Sequence, residues 1–276
     1  MTATLVVSGL TFPASVHADE AEVHYRQALV HKRAGRLDEA LRSAQAAIRA
    51  RPSHAGAHFT AGSIMRRQGR LEPALRCFRA VTRLQPEHAP GHAMVGATLV
   101  RLRRYEEAIT SLRRATELDP SDASSWGNLG AAYRRANRIE EAIQAYQAGL
   151  RRVPDDAGLL NNLAVALNRQ RRYEEAITLL EQAIEQNGQD YQMHLNLGIS
   201  LRSAERYEEA VRHYRRALEL NANSEDALFD LGVCLEQLSR PDEAVEVYRR
   251  YVEIVQARDP NAASRVQDRI QALGGR

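Results

Sequence analysis

Several side chains in this sequence recur at spacings that could do chemistry. His54 with His58, and His88 with His92, are four residues apart, a spacing at which two imidazoles on one helix can share a metal ion. Asn128, Asn162 and Asn196 follow one another at 34-residue intervals, as do Arg33, Arg67, Arg101, Arg135 and Arg169. Carboxamides offer donors and an acceptor to a peptide backbone, and guanidinium groups take carboxylates through paired hydrogen bonds. Cys77 and Cys234 lie far apart, with no CxxC or CxxCH, so neither a zinc site nor an attached haem is indicated, and two free, mostly buried thiols are expected. The sequence has no phosphate loop, HExxH, nucleophile elbow or dinucleotide fingerprint; no enzyme activity and no cofactor are expected.

The elements that must position these residues are helical. Of the 276 residues, 44% are apolar and only 5% aromatic, and Ala, Leu, Arg and Glu dominate, a composition suited to packed helices rather than sheets. The formal charge is +3, carried by arginine because Lys32 is the sole lysine, which is weak support for nucleic-acid binding. No apolar run approaches the roughly 20 residues of a membrane-spanning helix.

Self-similarity fixes the frame. Ala40, Ala74, Ala108, Ala142, Ala176, Ala210 and Ala244 recur every 34 residues without insertion or deletion. With that alanine as position 20, the units run 21–54, 55–88, 89–122, 123–156, 157–190, 191–224 and 225–258. Position 8 is then Ala28, Gly62, Gly96, Gly130, Ala164, Gly198 and Gly232. Glycine inside a helix costs about 1 kcal/mol relative to alanine, so close helix approach is the better reason for this column, with position 8 of a first helix facing Ala at position 20 of a second. Leu129, Leu163, Leu197 and Leu231 at position 7, and Phe78, Tyr146, Tyr214 and Tyr248 at position 24, fill the space alongside.

Punctuation agrees with a hairpin. Pro52, Pro86, Pro120 and Pro154 stand at position 32, past the second helix, where proline stops a helix. Gly35 and Gly69 mark the turn at position 15, and acidic pairs such as Glu106 and Glu107 open the second helix, complementing its dipole. Arginine at position 16 is expected to close the first helix for the same reason.

Small residues at 8, 20 and 27 (Ala47, Ala115, Ala183, Ala217), an aromatic at 24 and Pro at 32 resemble the tetratricopeptide repeat over residues 21–258. The resemblance implies an all-α, right-handed α-solenoid of seven helix-turn-helix units. Position 4, often Trp in that family, is Trp only at Trp126, and Gln27 and Ala61 replace the usual Leu in the first two repeats; atypical end repeats are expected of a stack. His24, His58, His92 and His194 also occupy position 4, which reads as filling of that slot rather than metal binding.

Both ends lie outside the array. Within residues 1–20, the apolar Leu5 to Leu10 and the sequence Val16-His17-Ala18 suit a signal peptide, but no basic segment precedes them. A periplasmic or secreted protein and a cytoplasmic protein with a disordered tail both stand. In the last repeat, the second helix is expected to run from Pro241 to about Arg258. Asp259 and Pro260 then start a C-terminal capping helix within 259–276, its stripe being Val266, Ile270 and Leu273.

In the tetratricopeptide family the face of the first helix carrying positions 2, 6, 9 and 13 lines a concave groove. Here it presents Asn128, Asn162 and Asn196, then Asp230, at position 6, and Arg101, Arg135 and Arg169 at position 13. The asparagine ladder is similar to one lining the tetratricopeptide superhelix of O-GlcNAc transferases, which contacts peptide backbone. The carboxylate clamp of chaperone-binding members is disfavoured, since its positions 5 and 9 hold Tyr25 and Leu29, Phe59 and Ser63, and Ala93 and Ala97. The expectation is a non-enzymatic scaffold or adaptor gripping a peptide or helix of a partner protein, with acidic side chains meeting the arginines, in a setting such as bacterial envelope or pilus assembly. A basic helical-repeat protein that binds nucleic acid is the alternative, and solvated polar faces without a ligand are the structural one.

Overall fold

The computed structural model describes residues 14–274, and among these there are fifteen α-helices and no strand. In the first of two compact units, which ends at Pro120, α1 (Ala14–Arg33) pairs with α2 (Leu37–Ala50), α3 (Ala55–Arg67) with α4 (Leu71–Leu84), and α5 (Ala89–Arg101) with α6 (Tyr105–Leu118). The second unit, from Ser121, pairs α7 (Ala123–Arg135) with α8 (Ile139–Leu150) and α9 (Ala157–Arg169) with α10 (Tyr173–Gln186). It continues with α11 (Tyr191–Ser203) on α12 (Tyr207–Leu220), then α13 (Glu225–Gln237) on α14 (Pro241–Val255), and ends with α15 (Pro260–Ala272) against α14. Each hairpin is one 34-residue repeat. Helix α1 begins seven residues before the first repeat position; the expectation for residues 1–13 lies outside the described residues.

Every alanine at position 20 is fully buried, but the nearest side chain to the glycine at position 8 is a different one. A methyl group placed on Gly130 would lie 2.3 Å from the Tyr146 ring, on Gly232 2.3 Å from Tyr248, on Gly198 2.7 Å from Tyr214 and on Gly62 2.9 Å from Phe78. All four rings are fully buried. The glycine is needed because the ring at position 24 presses on the first helix at that point. Alanine returns at position 8 where position 24 is Ala44 or Leu180, although Gly96 is kept against Leu112.

The turn at position 15 demands a left-handed backbone in all seven repeats. Gly35 and Gly69 supply it freely, while Arg103, Asn137, Arg171, Glu205 and Ser239 adopt φ between 56° and 62°, which strains a side-chain-bearing residue. Arginine at position 16 does not close the first helix as expected. It precedes the second helix and turns its guanidinium onto the glutamate three residues on, as in Arg104 to Glu107, Arg172 to Glu175 and Arg206 to Glu209, each at 2.7 Å. The left-handed residue before it reverses the chain, so position 16 stands at the entrance of the next helix. These exposed pairs add little stability, but their hydrogen bonds hold the Glu107, Glu175 and Glu209 carboxyls below the ordinary carboxylate range.

The first helices are capped by the residue at position 34. Asp156 accepts from the Leu159 N–H at 2.8 Å, and His54 and His88 do the same through Nδ1, from Ala57 at 3.2 Å and Gly91 at 2.8 Å. Helix α14 stops at Val255 rather than near Arg258. The cause lies just beyond: Asp259 caps α15 by accepting from Ala262 N–H at 2.9 Å, and Pro260 bars a helical conformation at the residue before it. Ala262, Ala263, Val266 and Ile270 of α15 are buried.

Candidate peptide-binding groove

Asp122 and Asp156 fix the starts of α7 and α9, which pack directly on one another. Six residues into each helix stand Asn128 and Asn162. Both are half-buried, neither makes a hydrogen bond to another described residue, and both line a depression of about 480 Å³. Gly127, Ala131 and Gly158 line the same depression with Ser124, Leu159 and the α9 cap Asp156, so small residues leave room beside the two carboxamides. An extended main chain presents an N–H and a C=O on the same edge at every second residue, which is the pattern a free carboxamide complements.

The third member of the ladder is different. Asn196 is buried; its Nδ2 donates to Asn161 Oδ1 at 2.8 Å and its Oδ1 accepts from Gln192 Nε2 at 3.3 Å. The residue that follows at position 6, Asp230, accepts from the Tyr214 hydroxyl at 3.3 Å and lies 3.6 Å from Arg202. Burial raises the Asp230 carboxyl above its ordinary range, with Arg202 opposing. Two of the four polar groups at this position therefore face the depression and two tie the helices together.

The arginines are separated from the carboxamides. Arg135 and Arg169 end α7 and α9, seven residues or roughly 10 Å further along each helix, where they are exposed and make no hydrogen bond or ion pair with described residues. Neither lines the depression. Arg101 belongs to the first unit, where its guanidinium donates to the Arg66 carbonyl at 3.0 Å. Sequence reasoning passed over Gly127 and Gly158, which open the depression, and the position-12 cations Lys32 and Arg66, overshadowed by the more regular column beside them.

The histidines are structural. His58 and His92 reach back to the Pro52 and Pro86 carbonyls, both at 2.9 Å, while His54 and His88 cap helices. No cluster of three metal-ligating side chains exists among the described residues. His194 makes the same backward contact to the Gly188 carbonyl at 3.3 Å and sets Nδ1 3.1 Å from Nδ1 of His213. Burial, assisted by His194 and Arg212, lowers the His213 pKa to about 4 despite Glu209, and burial lowers His194 as well. Cys77 and Cys234 are free thiols, Cys234 buried and Cys77 partly so; burial pushes Cys234 up to about 12. Among the described residues no helix is long and apolar enough to cross a membrane.

A stack of antiparallel hairpins with a polar, partly recessed first-helix face is the architecture of helical-repeat proteins. The chain belongs to the tetratricopeptide-repeat family: the model described as the cilia and flagella-associated protein 70 C-terminal domain matches residues 7–230, and one described as tetratricopeptide repeat matches residues 201–267. Among solved structures, PilF of Pseudomonas aeruginosa aligns at a TM-score of 0.65 and 19% identity over 77% of this chain and 96% of its own. YrrB, described as a tetratricopeptide protein with an unusual peptide-binding site, aligns at 0.57 and 20% identity over 70% and 97%. MamA aligns at 0.53 and 21% identity over 61% and 92%. These likenesses concern the fold. No curated protein matches the chain.

Proposed function

We propose that the chain is a non-catalytic scaffold that binds an extended peptide of a partner protein along the first-helix face of its second unit, with Asn128 and Asn162 gripping the peptide main chain. The observation that carries this reading is the pair of unpartnered carboxamides in one depression whose wall includes Gly127, Ala131 and Gly158 beside Ser124, Asp156 and Leu159. Arg135 and Arg169, exposed and unpaired two turns further along the same face, would meet acidic side chains or a C-terminal carboxylate of the same peptide. The setting we propose is bacterial envelope or pilus assembly, supported by the apolar Leu5 to Leu10 run and by the fold shared with PilF.

Affinity capture from the native cell, with N-terminal sequencing of the recovered chain, tests both parts. The expected result is a partner retained by the wild type and lost from Asn128→Ala/Asn162→Ala, with a mature chain beginning after Ala18. Retention by a folded double variant would remove the grip from these residues; an uncleaved chain in the cytoplasm would remove the envelope setting.

A further inference from the structure

The first unit contains a recess whose charge is not balanced by the protein. The C-terminal ends of α1, α3 and α5 contribute Lys32, Arg66, Arg67 and Arg101 to the wall of a cavity of about 410 Å³, beside Ser63 and Leu37 and with no acidic residue on the wall. None of the four cations forms an ion pair among the described residues. The contrast within this unit is sharp: Arg104 contacts Glu107 and Glu72, and Arg79 contacts Glu107. Arg101 is held across the end of α3 by its bond to the Arg66 carbonyl, and Arg66 Nε is shielded from solvent without a hydrogen-bond partner. Ser63 spends its hydroxyl hydrogen on the Phe59 carbonyl at 2.8 Å, so the donors in the recess are the cations.

Helix C-termini favour cations, which is a purely structural reason for these residues. Three helix ends supply only roughly half a negative charge each, leaving an excess of about two to three positive charges. Like charges gathered at one recess repel, and a bound anion would relieve that repulsion. The cations are also distributed over three successive first helices. Packed helices lie roughly 10 Å apart, so the backbones that carry the cations are spread over three helices even though Arg101 leans back across the end of α3. Four cations around one recess also outnumber the one or two charges of a single phosphoryl or carboxylate group. An extended chain turns every second side chain to the same side, roughly 7 Å apart, so three carboxylates on alternate residues extend over about 14 Å and can each meet a cation from a different helix.

We propose that this recess is a second binding site, for an extended acidic segment of a partner polypeptide about six residues long. It is independent of the carboxamide depression in the second unit. It also differs from a clamp built on positions 5 and 9, because its cations come from positions 12 and 13 of the repeat.

The probe is fluorescein-labelled hexaglutamate, titrated into the full chain and followed by anisotropy, with hexaglutamine as the uncharged control. At about 50 mM salt hexaglutamate binds and hexaglutamine does not, and the affinity falls at about 300 mM salt as screening grows. Lys32→Glu/Arg67→Glu alters two exposed side chains that hold no structural bond; it lowers hexaglutamate affinity at least about tenfold with an unchanged helical circular dichroism signal. Should charge reversal unfold the unit, Lys32→Gln/Arg67→Gln gives a smaller loss in the same direction. Asn128→Ala/Asn162→Ala leaves hexaglutamate binding unchanged, whatever its effect on the partner captured by the second unit. Equal affinity for the two peptides at low salt, or equal affinity of folded wild type and Lys32/Arg67 variants, overturns the assignment. Displacement of hexaglutamate by inorganic phosphate at matched charge concentration would show a single-anion site and overturn it too.

Discussion

Position 6 of the repeat is polar in the last four repeats, yet the two halves of that series serve different ends. Asn128 and Asn162 point their carboxamides into a depression without a protein partner, whereas Asn196 is bonded to Asn161 and Gln192 and Asp230 to Tyr214, with Arg202 3.6 Å from Asp230. The cause is the company each residue keeps. Around Asn128 and Asn162 the neighbours include Gly127, Gly158 and Ala131, which cannot reach a carboxamide. Asp156 is engaged in capping α9, and among the described residues neither Ser124 nor Asp156 forms a hydrogen bond to either asparagine. Around Asn196 and Asp230 they are long or polar. A column that looks uniform in sequence can thus leave its polar groups unbonded at one end and tie them between helices at the other, although Asp230 also lines a cavity of about 530 Å³.

Stability measurements should separate the two halves. Asp230→Ala removes the acceptor of the Tyr214 hydroxyl and the carboxylate 3.6 Å from Arg202 and is expected to cost about 2 kcal/mol in urea denaturation. Asn196→Ala leaves Asn161 without its donor in a largely buried place and is expected to cost about 1–2 kcal/mol. Asn128→Ala and Asn162→Ala should each change stability by no more than about 0.5 kcal/mol. If the four substitutions cost the same, the division of the column is wrong.

Acid should reveal a weakness confined to the bonded half. His194 and His213 meet nitrogen to nitrogen and both are held below their ordinary value, His213 at about 4. A histidine depressed in the fold is neutral there and takes up its proton more readily when unfolded. Its contribution is therefore complete above about pH 6.5 and is lost progressively as the pH falls towards 4. The charged groups around the pair are Arg216, Asp190 and Glu219 beside His194, and Arg212 and Glu209 beside His213. A thermal-melt series from pH 7 to 4 should fall more steeply for the wild type than for His213→Phe, and parallel curves would show that the pair does not set the acid limit. The smallest effect belongs to the turns: Ser239→Gly and Glu205→Gly relieve a left-handed backbone and should each raise stability by about 1 kcal/mol or less, whereas Gly69→Ala should lower it by a similar amount.

Much of this fold was legible because each repeated column answers one backbone requirement. Proline past the second helix and small residues at positions 8 and 20 recur at fixed phase, and Asp259-Pro260 marks the start of α15 in the same language. That position 8 lies against the ring at position 24, and that position 34 caps the first helix, was not read. The recurrence of Asn128, Asn162 and Asn196 at one position was legible for the same reason. What escaped was pairing between columns. Asn196 is consumed by Asn161, 35 residues earlier, and Arg202 reaches Asp230 from the preceding repeat; neither contact follows from a single position read down the array. Arg101 was read with Arg135 and Arg169, but it bonds across to the end of α3, while those two remain unpaired. The position of arginine at 16 was misjudged because the turn's left-handed residue, which decides where one helix ends and the next begins, is glycine only in the first two repeats.

The central claim is that partner peptide lies in the depression between α7 and α9. A photo-crosslinking amino acid placed at Ala131, inside the depression, can be compared in the native cell with one at the exposed Gln147 on α8. The account predicts one partner crosslinked from position 131 through an extended segment, not from position 147, and lost when Asn128→Ala/Asn162→Ala is added. Crosslinks from position 147 with none from position 131 would contradict it.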